Sequence, residues 1–336
     1  MNCKRSVLCC LLIVLAFDPC LNAASAAEAP KGDLKAWKRY QNAGEKAFKS
    51  RDSLEAEKQF TLAVEEAERM PKGEGRLRES LEDLAPLLLS HRKYQQAQLA
   101  YERLLASYEK ELGSNHLRVA GTLIGLGDAC TYGRRYPEAE VALLRAKRIV
   151  ETKLGALHPD IVLVHAGLAS VYRETGRFDE AERLYKVAIQ IAESPQIKTE
   201  FAGSGLQQTR YQPHYEMAAG LMNDLGVLYK ARSRFPEAEA MLKRALKMYE
   251  EARGAQTSGA AMVLHNLGVV YLEQKQFAEA EPPFRRALAI REKAFGPTHP
   301  AIAASLEALA AATEGRDIQQ ANSLRARARE IRARAP

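Results

Sequence analysis

Apolar residues recur along the chain at helical spacing, in pairs of segments. Met222, Leu225, Gly226, Leu228 and Tyr229 fall three and four apart, as one face of a helix requires. The polar break Arg232-Ser233-Arg234 follows, and a second segment opens at Pro236 and carries Ala238, Leu242, Ala245 and Met248 at similar spacing. Pro236, like Pro137, stands just inside a helix start, where a missing N–H costs nothing. The pattern predicts a helix, a short turn and a second helix.

The opening of that second segment recurs as YPEAE from Tyr136, FDEAE from Phe178, FPEAE from Phe235 and FAEAE from Phe277, with weaker forms SLEAE from Ser53 and YQQAQ from Tyr94. The central small residue is always alanine: Ala56, Ala97, Ala139, Ala181, Ala238 and Ala280, at intervals of 41, 42, 42, 57 and 42 residues. A fixed period of this size marks a solenoid, propeller or array. WD dipeptides and strand-like alternation are missing, which excludes a WD40 propeller. An active site is normally built once per domain, so Asp179, Glu180 and Glu182 of RFDEAERLY belong to the repeat rather than to acid/base chemistry.

These residues resemble the tetratricopeptide repeats, in the longer form found in kinesin light chains. The resemblance is carried by L-G-x-x-Y, F-x-E-A-E and R-A-L, as in Leu225-Gly226, Tyr229, Phe235-Pro236-Glu237-Ala238-Glu239 and Arg244-Ala245-Leu246. The junction L-G-x-x-H-P adds to it at Leu154 to Pro159 and, with Phe in place of Leu, at Phe295 to Pro300. It spans about residues 34–315 and implies an all-α fold: an α-solenoid, a right-handed superhelix of about six helix-turn-helix units closed by a C-terminal capping helix pair. The units are placed at 34–75, 76–113, 114–155, 156–211, 212–254 and 255–296, with capping helices in 297–336. Gly127, Gly226 and Gly268, matched by Ala85 and Ala169, are expected where two helices meet, opposite small residues of the Ala238 and Ala245 type. A larger side chain at Ala181 or Ala238 is then expected to overpack. Pro86, and Pro282-Pro283, are expected to bend or disturb their helices.

Composition alters the picture at the N-terminus. Lys4 and Arg5 precede an apolar run from Val7 to Phe17, followed by Asp18-Pro19 and by Ala24-Ser25-Ala26, an A-x-A cleavage pattern. This is the layout of a secretory signal peptide, assigned to residues 1–26. The run is shorter than the roughly 20 residues a spanning helix needs, although retention as an anchor stays open. The residues before Cys20 do not suit lipidation. Export implies a mature start near Ala27 and a place in the bacterial periplasm or cell envelope, with secretion as the second choice. Of five cysteines only Cys130 then remains, so no internal disulfide is available and packing must supply stability. Mature charge, 47 basic against 41 acidic residues, is far from a nucleic-acid-binding excess.

Candidate chemistry is mostly in phase with the repeat. His116, His158 and His299 recur at the turn into a first helix, which assigns them to capping rather than to a shared metal, and His214 lies one residue out of step. His91, His165, His265 and Cys130 break the period; Cys130 replaces a repeat tyrosine on an internal face, as a buried thiol does. No nucleophile elbow, phosphate loop or HExxH motif occurs. Arg325, Arg327, Arg329, Arg332 and Arg334 are spread around a helix, as in a solubilising cap. The long interval places an insertion at Ser194–Gln212, with Phe201, Arg210 and Tyr211 as candidate contacts; it is read either as a flap or as a tolerated surface loop.

The resemblance implies that first helices line a concave face that holds a partner segment. Carried over by register, that face shows Asn42, Glu45, Glu82, Asp83, Asp128, Thr131, Ser170, Arg173, Asn223, Asp224, Lys230, His265, Asn266 and Val269. Its first half is acidic and its later half mixed, which suits a ligand basic at one end. The Asn that follows the repeat glycine in chaperone-tail clamps is replaced by Glu45, Asp128, Val227 and Val269. The expected function is an exported scaffold binding a protein or peptide, with no catalysis, cofactor, metal, nucleic acid or stable membrane insertion. The alternatives are an envelope-associated enzyme or accessory subunit, and a self-assembling spacer.

Overall fold

The computed structural model of the chain describes residues 32–71, 73–194, 214–253 and 256–334. The signal-peptide assignment and the insertion residues Phe201, Arg210 and Tyr211 lie outside them. Among the described residues the fold is fourteen α-helices in seven pairs. The pairs are α1 (Leu34–Lys49) with α2 (Ser53–Glu68), α3 (Glu74–Ser90) with α4 (Tyr94–Leu112), α5 (Leu117–Tyr132) with α6 (Tyr136–Leu154), and α7 (Ile161–Glu174) with α8 (Phe178–Ala192). They continue as α9 (His214–Ala231) with α10 (Phe235–Arg253), α11 (Ser258–Glu273) with α12 (Phe277–Phe295), and α13 (Pro300–Thr313) with α14 (Ile318–Arg334). Each helix packs on the next in sequence, giving an all-α solenoid. None of these helices is long and apolar enough to cross a membrane.

Six of the seven pairs are closed by the same backbone device. The residue ending the turn donates its N–H to a carbonyl near the end of the first helix: Lys93 to Leu88, Arg135 to Cys130, Arg177 to Tyr172, Arg234 to Tyr229 and Gln276 to Tyr271, at 2.7–2.9 Å. This long bond needs a left-handed residue in the turn. Arg51, Arg92, Arg134, Ser233 and Lys275 take positive φ there, with Gly176 in the fourth pair. Between pairs the chain turns on Gly113, Gly155 and Gly296, with φ of 83–95° and ψ of 157–158°, a region open essentially to glycine alone. His116 and His299 then cap the next first helix, accepting from the N–H two residues on at 3.1 and 3.2 Å, while His158 accepts likewise from Asp160 N–H at 3.2 Å in the turn before α7.

The six repeat alanines are all fully buried. One apolar cluster runs from Ala47 to Val270, and a second, from Ala280 to Ile331, joins the last pairs. The glycines do lie at close approaches, where the nearest side chains are large, although the Ala238 carbonyl also stands 3.3 Å from a Cβ at Gly226. A Cβ on Gly127 would meet Leu143 at 2.5 Å, on Gly226 Leu242 at 2.8 Å, and on Gly44 and Gly268 the rings of Phe60 and Phe284 at 2.7 and 2.8 Å. The glycine makes room for the large residue four positions after the repeat alanine, which corrects the small-against-small expectation. The helices continue through their prolines, α3 through Pro86 and α12 through Pro282-Pro283. The buried neighbours Ala85, Leu87 and Phe284 hold these turns by packing despite the lost backbone bonds.

At the end of the stack, α14 buries only Ala321, Ala328 and Ile331. Arg325 pairs with Glu314, Arg327 with Glu292 and Arg332 with Glu307, so the arginine-rich helix is tied to α12, α13 and the turn after α13 as a polar cap.

Candidate functional site in the concave groove

Three pairs of successive first helices approach one another, α5 with α7, α9 with α11 and α11 with α13, whereas successive second helices do not approach comparably. The layer whose members draw together is the inner, concave one. Its polar side chains depend on their rotation about the repeat glycine. Two positions before it, Asn42, Asp83, Asp224 and Asn266 are at least partly open; one position after it, so are Glu45 and Asp128.

At the α1/α3 end, Asp83 Oδ2 accepts from Gln41 Nε2 at 2.6 Å and Glu82 Oε1 from Arg118 Nη1 at 3.0 Å. Burial pushes the Asp83 carboxyl up to about 6 against the Gln41 hydrogen bond, and Glu45, Glu82 and Glu79 push the same way. Midway, burial raises Asp128 to about 7, and the carboxylate makes no hydrogen bond or ion pair among the described residues. Asp224 is also raised by burial, an effect that Arg173 and the Asn223 amide oppose. A polar seam links α9 to α11, since Asn223 Nδ2 donates to Asp224 at 3.2 Å and Asn266 Nδ2 donates to Asn223 Oδ1 at 2.7 Å. Arg173 Nη2 reaches Glu174 at 2.9 Å, Ser170 Oγ lies 3.3 Å from the Tyr185 hydroxyl, and Lys230 Nζ pairs with Glu273 at 3.1 Å.

Four expected groove residues turn inward. Thr131 is buried and donates to Gly127 O at 2.7 Å, and Asn223, 2% exposed, fills the seam between first helices. His265 packs edge-on against the Phe284 ring, 5.4 Å between centroids, with its Nδ1 buried and unpartnered. Val269 packs against the C-terminal core. Positions three before and four after the glycine point into the seam, and only a long side chain such as Arg173 or Lys230 emerges from the latter. Conversely, Tyr132 was not anticipated. It is 61% exposed and stacks on Tyr94 at 5.7 Å. The sequence signal was available, since an aromatic five residues after the repeat glycine occurs in this unit alone.

The repeated acidic phrase has a structural task. Lys93 Nζ donates to Glu57 at 2.5 Å, Arg135 Nη1 to Gln98 at 2.7 Å, Arg177 Nη1 to Glu140 at 2.8 Å and Arg234 Nη1 to Glu182 at 2.7 Å. Each reaches from one unit to the residue after the repeat alanine in the unit before. Of the residues that break the period, His91 joins this ladder: Nδ1 lies 2.5 Å from Glu57 Oε2 and Nε2 3.0 Å from Ser53 Oγ. Lys93 shares the same carboxylate, so the trio binds the first two units together. His165 is buried on α7 with Nδ1 unpartnered, and Cys130 is a buried free thiol, 1% exposed. No group of three or more potential metal ligands occurs among the described residues.

Comparison with known proteins agrees with this architecture. A tetratricopeptide-repeat family model matches residues 118–194, 216–293 and 259–334, and a second tetratricopeptide-repeat model matches residues 82–153. No curated protein matches by sequence. Among solved structures, BtubC (BKLC) from P. vanneervenii is 24% identical over 73% of this chain and 91% of its own, with a TM-score of 0.54. The apo form of RapI is 11% identical over 88% of this chain and 97% of its own, with a TM-score of 0.60. A Rap protein complexed with competence and sporulation factor is 16% identical over 89% and 76%, with a TM-score of 0.56. These likenesses establish the fold.

Proposed function

Because the chain belongs to the tetratricopeptide-repeat family, whose arrays serve as protein-interaction scaffolds, we propose that it is an exported, non-catalytic scaffold that holds a segment of another protein along its concave face. The observation that carries this reading is Asp128. A carboxylate with no partner, crowded enough to be raised to about 7, costs stability where it stands. Groups kept at such a cost mark functional sites. Its neighbours along the groove, Asp83, Arg173, Asp224 and Asn266, supply both donors and acceptors, which an extended backbone with alternating N–H and C=O groups requires.

The export component rests on residues 1–26, and N-terminal sequencing of the mature protein tests it: a start near Ala27 supports it, a start at Met1 refutes it. A photoreactive residue at position 128, with Lys247 on the outer face of α10 as control, tests the groove. A discrete adduct from position 128 alone supports a groove-bound partner. Equal adducts from both positions, or none, refute it.

A further inference from the structure

The α11–α13 end of the groove carries a charge that the repeat does not explain. Eleven residues after the repeat alanine, successive units hold Ala67, Tyr108, Val150, Ala192, Tyr249 and Arg291. The tyrosines show where this position reaches. The Tyr108 hydroxyl accepts from Arg118 of the next first helix at 2.8 Å, and the Tyr249 hydroxyl approaches the Glu216 carbonyl of the first helix of its own unit at 3.4 Å. The side chain passes from the second helix between two first helices toward the inner face. In the last full unit it is an arginine.

Arg291 donates to the Ser305 hydroxyl on α13. It has no carboxylate partner and no aromatic face among the described residues. Other half-buried arginines have one or the other: for example, Arg78 has Glu111, Arg118 has Glu82, Arg145 has Glu109, Arg286 has Glu250, and Arg76 lies over Trp37. Burial lowers the Arg291 pKa, the sign of an uncompensated cation. Its titratable neighbour His265 is held near 4 by burial and by Arg291 itself, so the imidazole adds no second positive charge beside the guanidinium at neutral pH. A half-buried cation without a counter-ion is a cost that the fold leaves in place.

We propose that Arg291, with Ser305, is an anion subsite that takes the carboxylate of an extended ligand whose basic residue pairs with Asp128. This rests on the groove reading above and gives it polarity: a basic end toward α5 and an acidic end toward α13. Taking the spacing of packed helices, about 9 Å, for every step, the three and a half steps from α5 to the α11–α13 seam span roughly 30 Å. At about 3.3 Å per extended residue, the two ligand charges stand about nine residues apart. Arg291 comes from a second helix and its partner Ser305 from the next unit, so the subsite exists only where units six and seven stack.

The test is fluorescence anisotropy on the mature full-length chain. The probes are labelled Gly/Ser/Thr peptides with blocked ends, carrying Lys and Glu nine residues apart in either order. Further probes replace Glu by Gln, or replace it by a free C-terminal carboxylate. The better-ordered Lys/Glu peptide is expected to bind about tenfold more tightly than its Gln version. Arg291→Gln, which can still donate to Ser305, is expected to abolish that difference, and Arg291→Lys to restore part of it. If the free-terminus peptide gains equally, a chain end is the source of the carboxylate; if only Glu gains, an internal acidic residue is. Equal affinities for the Glu and Gln peptides in the wild type overturn the subsite, as does an unchanged difference in Arg291→Gln. Absence of any peptide binding overturns it as well. The groove reading then survives alone if position 128 still yields its adduct, and falls with the subsite if it does not.

Discussion

Arg177 and Glu140 stand in different units, and the 2.8 Å bond from Arg177 Nη1 to Glu140 Oε1 is the stack's joining device seen once. The same arginine closes its own turn through its N–H to Tyr172 O at 2.7 Å and lies 3.8 Å from the centroid of the Tyr172 ring. One residue therefore fixes the angle within a unit and the spacing to its neighbour. Arg234 repeats the whole arrangement on Tyr229, and Lys93 and Arg135 repeat its two hydrogen bonds. An acidic phrase that looked like chemistry is the receiving half of this joint.

Glu182 is an enclosed carboxylate of that ladder and accepts from Arg234, Tyr229 and Lys186. Glu182→Ala is expected to cost about 1–3 kcal/mol in urea unfolding, the range for charge-assisted hydrogen bonds. Burial works against its ionisation, but the bonds from Lys186 and Tyr229 and the nearby positive charges leave its pKa below 4.5. The sign follows: the contribution is present above about pH 4.5 and is lost as pH falls through the depressed folded value. The wild-type advantage over Glu182→Ala should shrink between pH 5 and pH 3.

Gly226→Ala places a Cβ 2.8 Å from Leu242 Cγ. Overpacking of this kind costs about 1–3 kcal/mol. Gly315→Ala, where nothing lies within 4 Å, is the control and should change thermal stability little.

Gly176 and Gly155 both have positive φ and open space around them, so backbone preference alone decides what alanine costs. Gly176 occupies the left-handed turn position that Arg51, Arg92, Arg134, Ser233 and Lys275 also occupy. Gly176→Ala should cost about 1 kcal/mol. Gly155, at φ 95° and ψ 158°, lies where side-chain-bearing residues are strained by about 1–3 kcal/mol. Gly155→Ala should be the more damaging of the two in calorimetry, and a reversed order would refute the assignment of these turns.

Asp128 has its carboxyl raised from 3.8 to about 7. A raised value means that the folded state holds the proton more tightly. The stabilisation is complete below about pH 4 and is lost as pH rises through 7. Asp128→Asn should therefore gain on the wild type by about 1–3 kcal/mol between pH 5 and pH 8. Binding of a lysine-bearing peptide should move oppositely, strengthening in the wild type from pH 6 to pH 8 and staying flat in Asp128→Asn.

Legibility followed the range of the interaction. The histidine caps act over two residues, and His116 and His299 do what their recurrence implied. The alanine period carried the stacking because every unit buries that position. What the sequence concealed depends on helix rotation and on the partner across the seam. Asn223 and Asp224 are adjacent, yet about 100° of rotation puts the first in the seam and leaves the second at the groove. Gly226 announced a close approach, but only the assembled pair shows that Leu242 fills it. Arg291 stands out in the sequence as a charge in a column of alanine, tyrosine and valine, but only the folded chain shows that no carboxylate among the described residues meets it.

Cys130 gives the array a built-in clock. It is the one cysteine among the described residues, it lies on α5 near the middle of the stack, and it is 1% exposed. A thiol reagent can reach it only when that part of the array opens, so labelling kinetics report the opening of the third unit and ignore fraying at the ends. In a chain that starts near Ala27 a single rate, measured with and without a candidate ligand, would tell whether occupancy of the groove tightens the centre of the protein.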